Sequence, residues 1–124
     1  MPATASSSDL VEQLERMDTA ALDDLEFGVI GFDDDEIVTV YNRFESQTSG
    51  LSPSRVIGSH FFTEVAPCTN NALVAERYRA ERSLDEELDY VFTLRMKPIP
   101  VHLRLLVDPA VATRYLIVVP TDPS

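Results

Sequence analysis

Only one cysteine, Cys68, occurs in the 124 residues. That excludes an internal disulfide and any metal site built from several cysteines. Histidine is nearly as scarce: His60 and His102 lie far apart, which disfavours a His–Cys metal pair. Basic residues are few, with 10 Lys and Arg against 21 Asp and Glu, a formal net charge of -11. A field of that sign repels phosphate backbones, so nucleic acid is not an expected partner. The acidity fits a solvated surface; adaptation to high salt is the sharper alternative, because screening offsets self-repulsion. No apolar run approaches the roughly 18 residues of a membrane span. The N-terminus MPATASSSDL lacks the apolar stretch of a secretory signal. The expectation is a soluble, cytoplasmic chain with no membrane partner. Gly-rich phosphate loops, internal repeats and low-complexity tracts are also missing.

Hydrophobic residues at 44% and charged residues at 25% describe a globular chain, with room for a single core. A helix is expected from near Asp9, where Glu12 completes a capping-box spacing, with Leu10, Val11, Leu14 and Met17 on one face. A second short helix fits Thr19 to Leu25. FGVIGF and EIVTVY, separated by Asp33-Asp34-Asp35, read as a β-hairpin. The triple-acid turn lacks the rest of a calcium loop and reads as a solvated turn. Short helical pieces follow: Asn42 to Gln47, a piece started by Ser52-Pro53 and ended by Gly58, and a turn from His60 to Val65. After Pro67 and Cys68, a longer helix capped by Thr69 or Asn70 would align Leu73, Val74, Tyr78 and Arg82. Three strands end the chain: 87–97, 100–107 and 113–119. Leu88, Tyr90, Phe92, Leu94 and Met96 alternate with polar positions in the first of these. The order ββ, helices, βββ predicts an α+β fold, a central antiparallel five-stranded sheet with helices on one face. Residues 1–25 form an N-terminal helical cap and 26–120 the core of a single domain.

The segments LDDLEFGVI, VYNRFESQTSG and VIGSHFFTEVAPCT, in unbroken spacing from Phe27 to Thr69, resemble the photoactive yellow proteins. YVFTLRM and the VH at 101–102 resemble them too, with shorter loops between. The resemblance implies a PAS fold and a blue-light photoreceptor, not an enzyme. It implies p-coumaric acid (4-hydroxycinnamic acid) bound to Cys68 as a thioester, which suits a thiolate nucleophile. It places Tyr41 and Glu45 as hydrogen-bond donors to the chromophore's phenolate oxygen. Ser49 stands where the family usually has Thr and still offers Tyr41 a hydroxyl. Phe61, Phe92, Leu94 and Met96 match positions that line or flank the chromophore. Leu51 departs from the pattern: the best-known members carry an Arg there that shields the site, and Arg95 or Arg43 are the candidate substitutes. The implied mechanism is trans–cis isomerisation, proton transfer from Glu45 to the phenolate, and loosening of the cap to signal. The implied partner is a downstream signalling protein, reached by a monomer.

Two other readings stay open on the residues alone. One is a PAS module that binds another ligand, or none, and serves as an interaction domain. The other is a cysteine acyl-transfer enzyme, which needs His60 or His102 as a base for Cys68.

Overall fold

The computed structural model describes residues 7–94 and 97–121. Among them, five strands form one antiparallel sheet: β1 (Gly28–Phe32), β2 (Val38–Tyr41), β3 (Leu84–Leu94), β4 (Lys97–Val107) and β5 (Arg114–Pro120), in spatial order β2-β1-β5-β4-β3. The expected α+β architecture is therefore the observed one.

Each face of the sheet has its own core. Side chains at alternate positions, Ile30 and Phe32 on β1 and Leu103 and Leu105 on β4, face one apolar cluster with Phe61, Phe62, Val74 and Tyr78. Val29, Leu106, Tyr115 and Ile117 face the other side and bury Val11 and Leu14 of helix α1 (Ser7–Arg16). The three-residue spacing of Val11 and Leu14 sets them on one helical face, while Glu12, Glu15 and Arg16 remain exposed. Burying each such side chain stabilises by about 1.5–3 kcal/mol. Helix α2 (Thr19–Asp23) adds Leu22 to that second cluster, and Asp18 caps it by accepting from the Ala21 N–H at 2.9 Å. Strand β1 is thus buried on both faces along its whole length.

The β1–β2 turn is closed by Asp33, whose Oδ1 accepts from the N–H groups of Asp35 at 2.9 Å and Ile37 at 3.0 Å. Its aspartates behave as the expected turn. Between β2 and β3 run α3 (Arg43–Ser49), α4 (Pro53–Val56), a π-helical turn at Phe61–Val65, a 3₁₀ turn at Pro67–Thr69, and α5 (Ala75–Ala80). Gly50 ends α3 with φ 81°, a left-handed conformation that suits glycine.

Several local expectations shift. Helix α1 starts at Ser7, two residues before Asp9. Ser52 occupies the cap position of α4 without a side-chain capping bond. Helix α5 is short, and Asn71 receives the N–H groups of Leu73 (3.0 Å) and Val74 (3.2 Å) where Thr69 or Asn70 was expected to cap. The Thr69 hydroxyl turns inward instead, donating to the Ala66 carbonyl at 2.7 Å. Leu73 is consequently exposed and Arg82 lies beyond the helix, so neither joins the buried face of Val74 and Tyr78.

Candidate functional site

The site is built on the first apolar face, where the end of β2 runs into α3. Tyr41 is the last residue of β2 and Asn42 caps α3, accepting from the Glu45 N–H at 3.2 Å. The intervening helical turn brings Glu45 and Ser49 onto the buried side of α3. The hydroxyls of Tyr41 and Ser49 lie 2.7 Å apart. Ser49 Oγ also accepts the Leu51 N–H at 3.1 Å. If Ser49 gives its own proton to Tyr41, the Tyr41 O–H is free to serve a third acceptor.

Glu45 is 1% exposed, and its Oε1 has no hydrogen-bond partner. Burial raises its pKa from 4.5 to about 7. Burial also raises the Tyr41 phenol, and the neighbouring Glu45 charge adds to that shift. A carboxyl in such a place holds a proton at neutral or lower pH. Protonated, it offers an O–H donor that nothing in the chain receives through Oε1.

Gly28 explains how a glutamate fits there. A Cβ at position 28 would lie 2.1 Å from Glu45 Oε1, so only glycine leaves space for the carboxyl against β1.

Tyr41, Phe61 and Phe92 belong to one apolar cluster, against which Leu51 and Cys68 pack. Phe61 stacks on Phe32 with ring centres 5.4 Å apart. Cys68 is a half-buried free thiol on the 3₁₀ turn. Its carbonyl accepts from the Tyr90 hydroxyl and from Asn71 Nδ2. The structure therefore brings together Tyr41, Ser49, Leu51, Phe61, Cys68 and Phe92, with Glu45 buried on the same helix as Ser49. Leu94's side chain and the whole of Arg95 and Met96 lie outside the described residues. Arg43, the other candidate for the missing arginine, is exposed at the surface beside Asp23, 3.9 Å from its carboxylate.

A cysteine enzyme would pair Cys68 with an imidazole. His60 Nε2 instead lies 3.2 Å from Glu36, and its buried Nδ1 has no partner. His102 sits between Glu87 and Asp89 at 2.8 and 3.0 Å.

Sequence reasoning does not assign Gly28, Asn42, Asn71 or Tyr90 to the site. Asn42 carries a legible signal: an Asn three residues before a Glu at a strand–helix junction is a capping pattern. Asn71 bonds locally, to Cys68, Leu73 and Val74, while Gly28 and Tyr90 act through tertiary contact and leave no local mark.

No protein-family model matches the chain. Photoactive yellow protein from Rhodothalassium salexigens is 36% identical over 101 residues, covering 77% of this chain and 81% of that protein. The chain belongs to the photoactive yellow protein family. Photoactive yellow protein from Halochromatium salexigens agrees, with 37% identity over 108 residues, 82% of this chain and 86% of its own length. Among solved structures, the photoactive yellow protein domain of the sensor histidine kinase Ppr from Rhodospirillum centenum superposes with a TM-score of 0.79 at 37% identity, spanning 86% of this chain and 96% of that one. A PAS domain of an HTR-like protein from Haloarcula marismortui, at 16% identity and a TM-score of 0.63 over 90% of this chain and 96% of that chain, shares the fold. The architecture is thus a PAS fold.

Proposed function

We propose that this member of the family is a blue-light photoreceptor that carries p-coumaric acid as a thioester on Cys68. The observation that carries the reading is the partnerless, buried Oε1 of Glu45, together with the Tyr41–Ser49 hydroxyl pair on whose phenol the Glu45 charge acts. An anionic oxygen held by Tyr41 and Glu45 would satisfy both donors. When bound, the p-coumaroyl group supplies a light-absorbing phenolate and a double bond that light isomerises.

The chain's own residues supply the rest. Phe61 and Phe92, each 2% exposed or less, exclude water from the apolar cluster. Leu51 closes its rim by apolar contact in place of a charged gate; the family resemblance assigns Leu94 and Met96 to the flank. Glu45 stores a proton because burial penalises its charged form. Loss of that proton leaves a carboxylate whose Oε1 has no partner, a state that destabilises α3. Asn42 ties α3 to α2 and to the segment entering β1, donating to the carbonyls of Leu22 at 2.9 Å and Phe27 at 3.0 Å. Residues 1–25 then act as a releasable cap on the core of 26–120, a population shift that exposes a surface to a downstream signalling protein. A soluble cytoplasmic monomer suits this role; among the described residues no helix is long and apolar enough to cross a membrane.

Reconstitution of the apoprotein with activated p-coumaric acid tests the reading. The expected product is yellow, bleaches under blue light, recovers in the dark, and is lost in Cys68→Ser. A colourless adduct, or none, would overturn it in favour of a non-photoactive PAS module. Turnover of the acyl donor would indicate the transferase.

A further inference from the structure

We infer that Tyr90 and Asn71 are positioning residues for Cys68: together they clamp the peptide unit that follows it and so fix where the thiol points. The inference rests on Cys68 being the attachment point for its functional weight, but not for its geometry.

Three polar groups close a ring. The Tyr90 hydroxyl donates to the Cys68 carbonyl, Asn71 Nδ2 donates to the same carbonyl at 3.2 Å, and Asn71 Nδ2 also donates to the Tyr90 oxygen at 2.6 Å. The other end of that peptide unit is held too, because the Thr69 N–H donates to the Ala66 carbonyl at 2.9 Å. A peptide group is planar, so restraining its O and its N–H fixes the plane. Fixing the plane fixes ψ at Cys68 and limits the directions open to its side chain.

The ring also joins three parts of the fold. Asn71 Oδ1 receives the N–H groups of Leu73 and Val74, which lead into α5. Its own N–H donates to the Thr69 carbonyl at 2.9 Å. Tyr90 belongs to β3, paired with Val101 of β4, and its ring meets Phe92 edge-on at 6.2 Å. The cysteine turn, the start of α5 and the edge of the sheet therefore share one side-chain amide and one phenol. Asn71 is exposed, and Tyr90 is half-buried at the margin of the first core. Their polar atoms are spent on a backbone carbonyl, as expected of groups that orient a loop.

The clamp is tested on the full-length apoprotein by the rate at which Cys68 exchanges with dithiobis-nitrobenzoate, an aromatic disulfide. The Cys68 thiolate attacks one sulfur, a mixed disulfide forms, and a coloured thiolate leaves. Tyr90→Phe removes one donor to the carbonyl and leaves the Asn71 cap intact. Asn71→Asp keeps the acceptor for Leu73 and Val74 and loses the donor. Both are expected to exchange about five- to tenfold faster than wild type, the loss of one net hydrogen bond from the closed turn. Rates taken across the thiol's titration separate a freer turn from an altered thiol pKa; the clamp predicts the faster limiting rate at high pH. If Asn71 serves only as a cap, Asn71→Asp will match wild type while Asn71→Ala does not. A wild-type limiting rate in either Tyr90→Phe or Asn71→Asp overturns the inference. Because no chromophore is present, the answer is independent of whether p-coumaric acid attaches.

Discussion

The Glu45 carboxyl lies against the α-carbon of Gly28, where a methyl group would sit 2.1 Å from Oε1. A helix side chain and a strand backbone thus share one small volume, and a side chain at position 28 fits only if Glu45 gives way. Gly28→Ala is expected to destabilise the protein by about 1–3 kcal/mol, the usual cost of overpacking a core. Glu45→Ala should remove most of that penalty, since the Glu45 Cβ at 3.2 Å is then the nearest remaining atom of that side chain. Urea midpoints of the two single variants and the double variant measure the coupling. Additive effects would refute the contact.

Glu45 should also write a pH dependence into the apoprotein. Its folded pKa of about 7 exceeds the ordinary 4.5, so the folded state holds the proton more tightly. The stability this contributes is fully present below 4.5 and is lost as pH rises through about 7. The full span amounts to about 3 kcal/mol. Unfolding free energies of wild type and Glu45→Gln at several pH values give the comparison. The difference between the two curves should slope downward across that window; parallel curves would count against a buried, protonated Glu45.

Asn42 separates two functions in one side chain. Its Oδ1 accepts from the N–H groups of Val29 at 3.0 Å and Glu45 at 3.2 Å, and its Nδ2 serves the Leu22 and Phe27 carbonyls. Asn42→Asp retains the acceptor and loses both donors. It should leave α3 capped while raising hydrogen-exchange rates in α1 and α2. Asn42→Ala should lose the cap as well, at a further cost of about 1 kcal/mol. Exchange protection in α1 and α2 that is the same in Asn42→Asp and wild type would break the proposed link between site and cap.

The first helix is tied to the sheet by the hydrogen bond from the Tyr115 hydroxyl to Glu15. The Tyr115 carbonyl in turn receives the Tyr78 hydroxyl at 2.7 Å from the opposite face. Glu15→Ala should loosen α1 by about 1 kcal/mol without altering the core. Limited proteolysis near the N-terminus, compared with the global urea midpoint, checks this. A fall in the midpoint with unchanged cleavage would contradict a local role.

Leu51 packs on the apolar cluster with its N–H tied to Ser49. Leu51→Arg in the reconstituted protein should place a charge at the rim and change the absorption maximum or the dark-recovery rate. No change in either would show that the rim is electrostatically irrelevant here.

Much of this fold is legible in the residues. Alternation at Leu88, Tyr90 and Phe92, the Asp turn after Phe32, and the spacing of Val11 and Leu14 each reflect a local rule that the tertiary structure obeys. The site is legible through the family resemblance more than through the residues. Tyr41, Glu45 and Cys68 taken singly are ordinary, and only their assembly through α3 and the 3₁₀ turn distinguishes them. What could not be read were contacts made across the chain: Gly28 against Glu45, Tyr90 reaching Cys68, and Asn71 meeting Tyr90. Such contacts depend on which segments meet, and no local pattern encodes that.

Strand β1 is one residue thick, yet it separates two interiors. Ile30 and Phe32 belong to the compartment that would set colour and proton affinity, and Val29 to the one that anchors the cap. Substitutions on either side should therefore retune sensing or output as independent variables. Asn42, standing at the strand's edge with bonds into both, is the position where the two settings cannot be chosen separately.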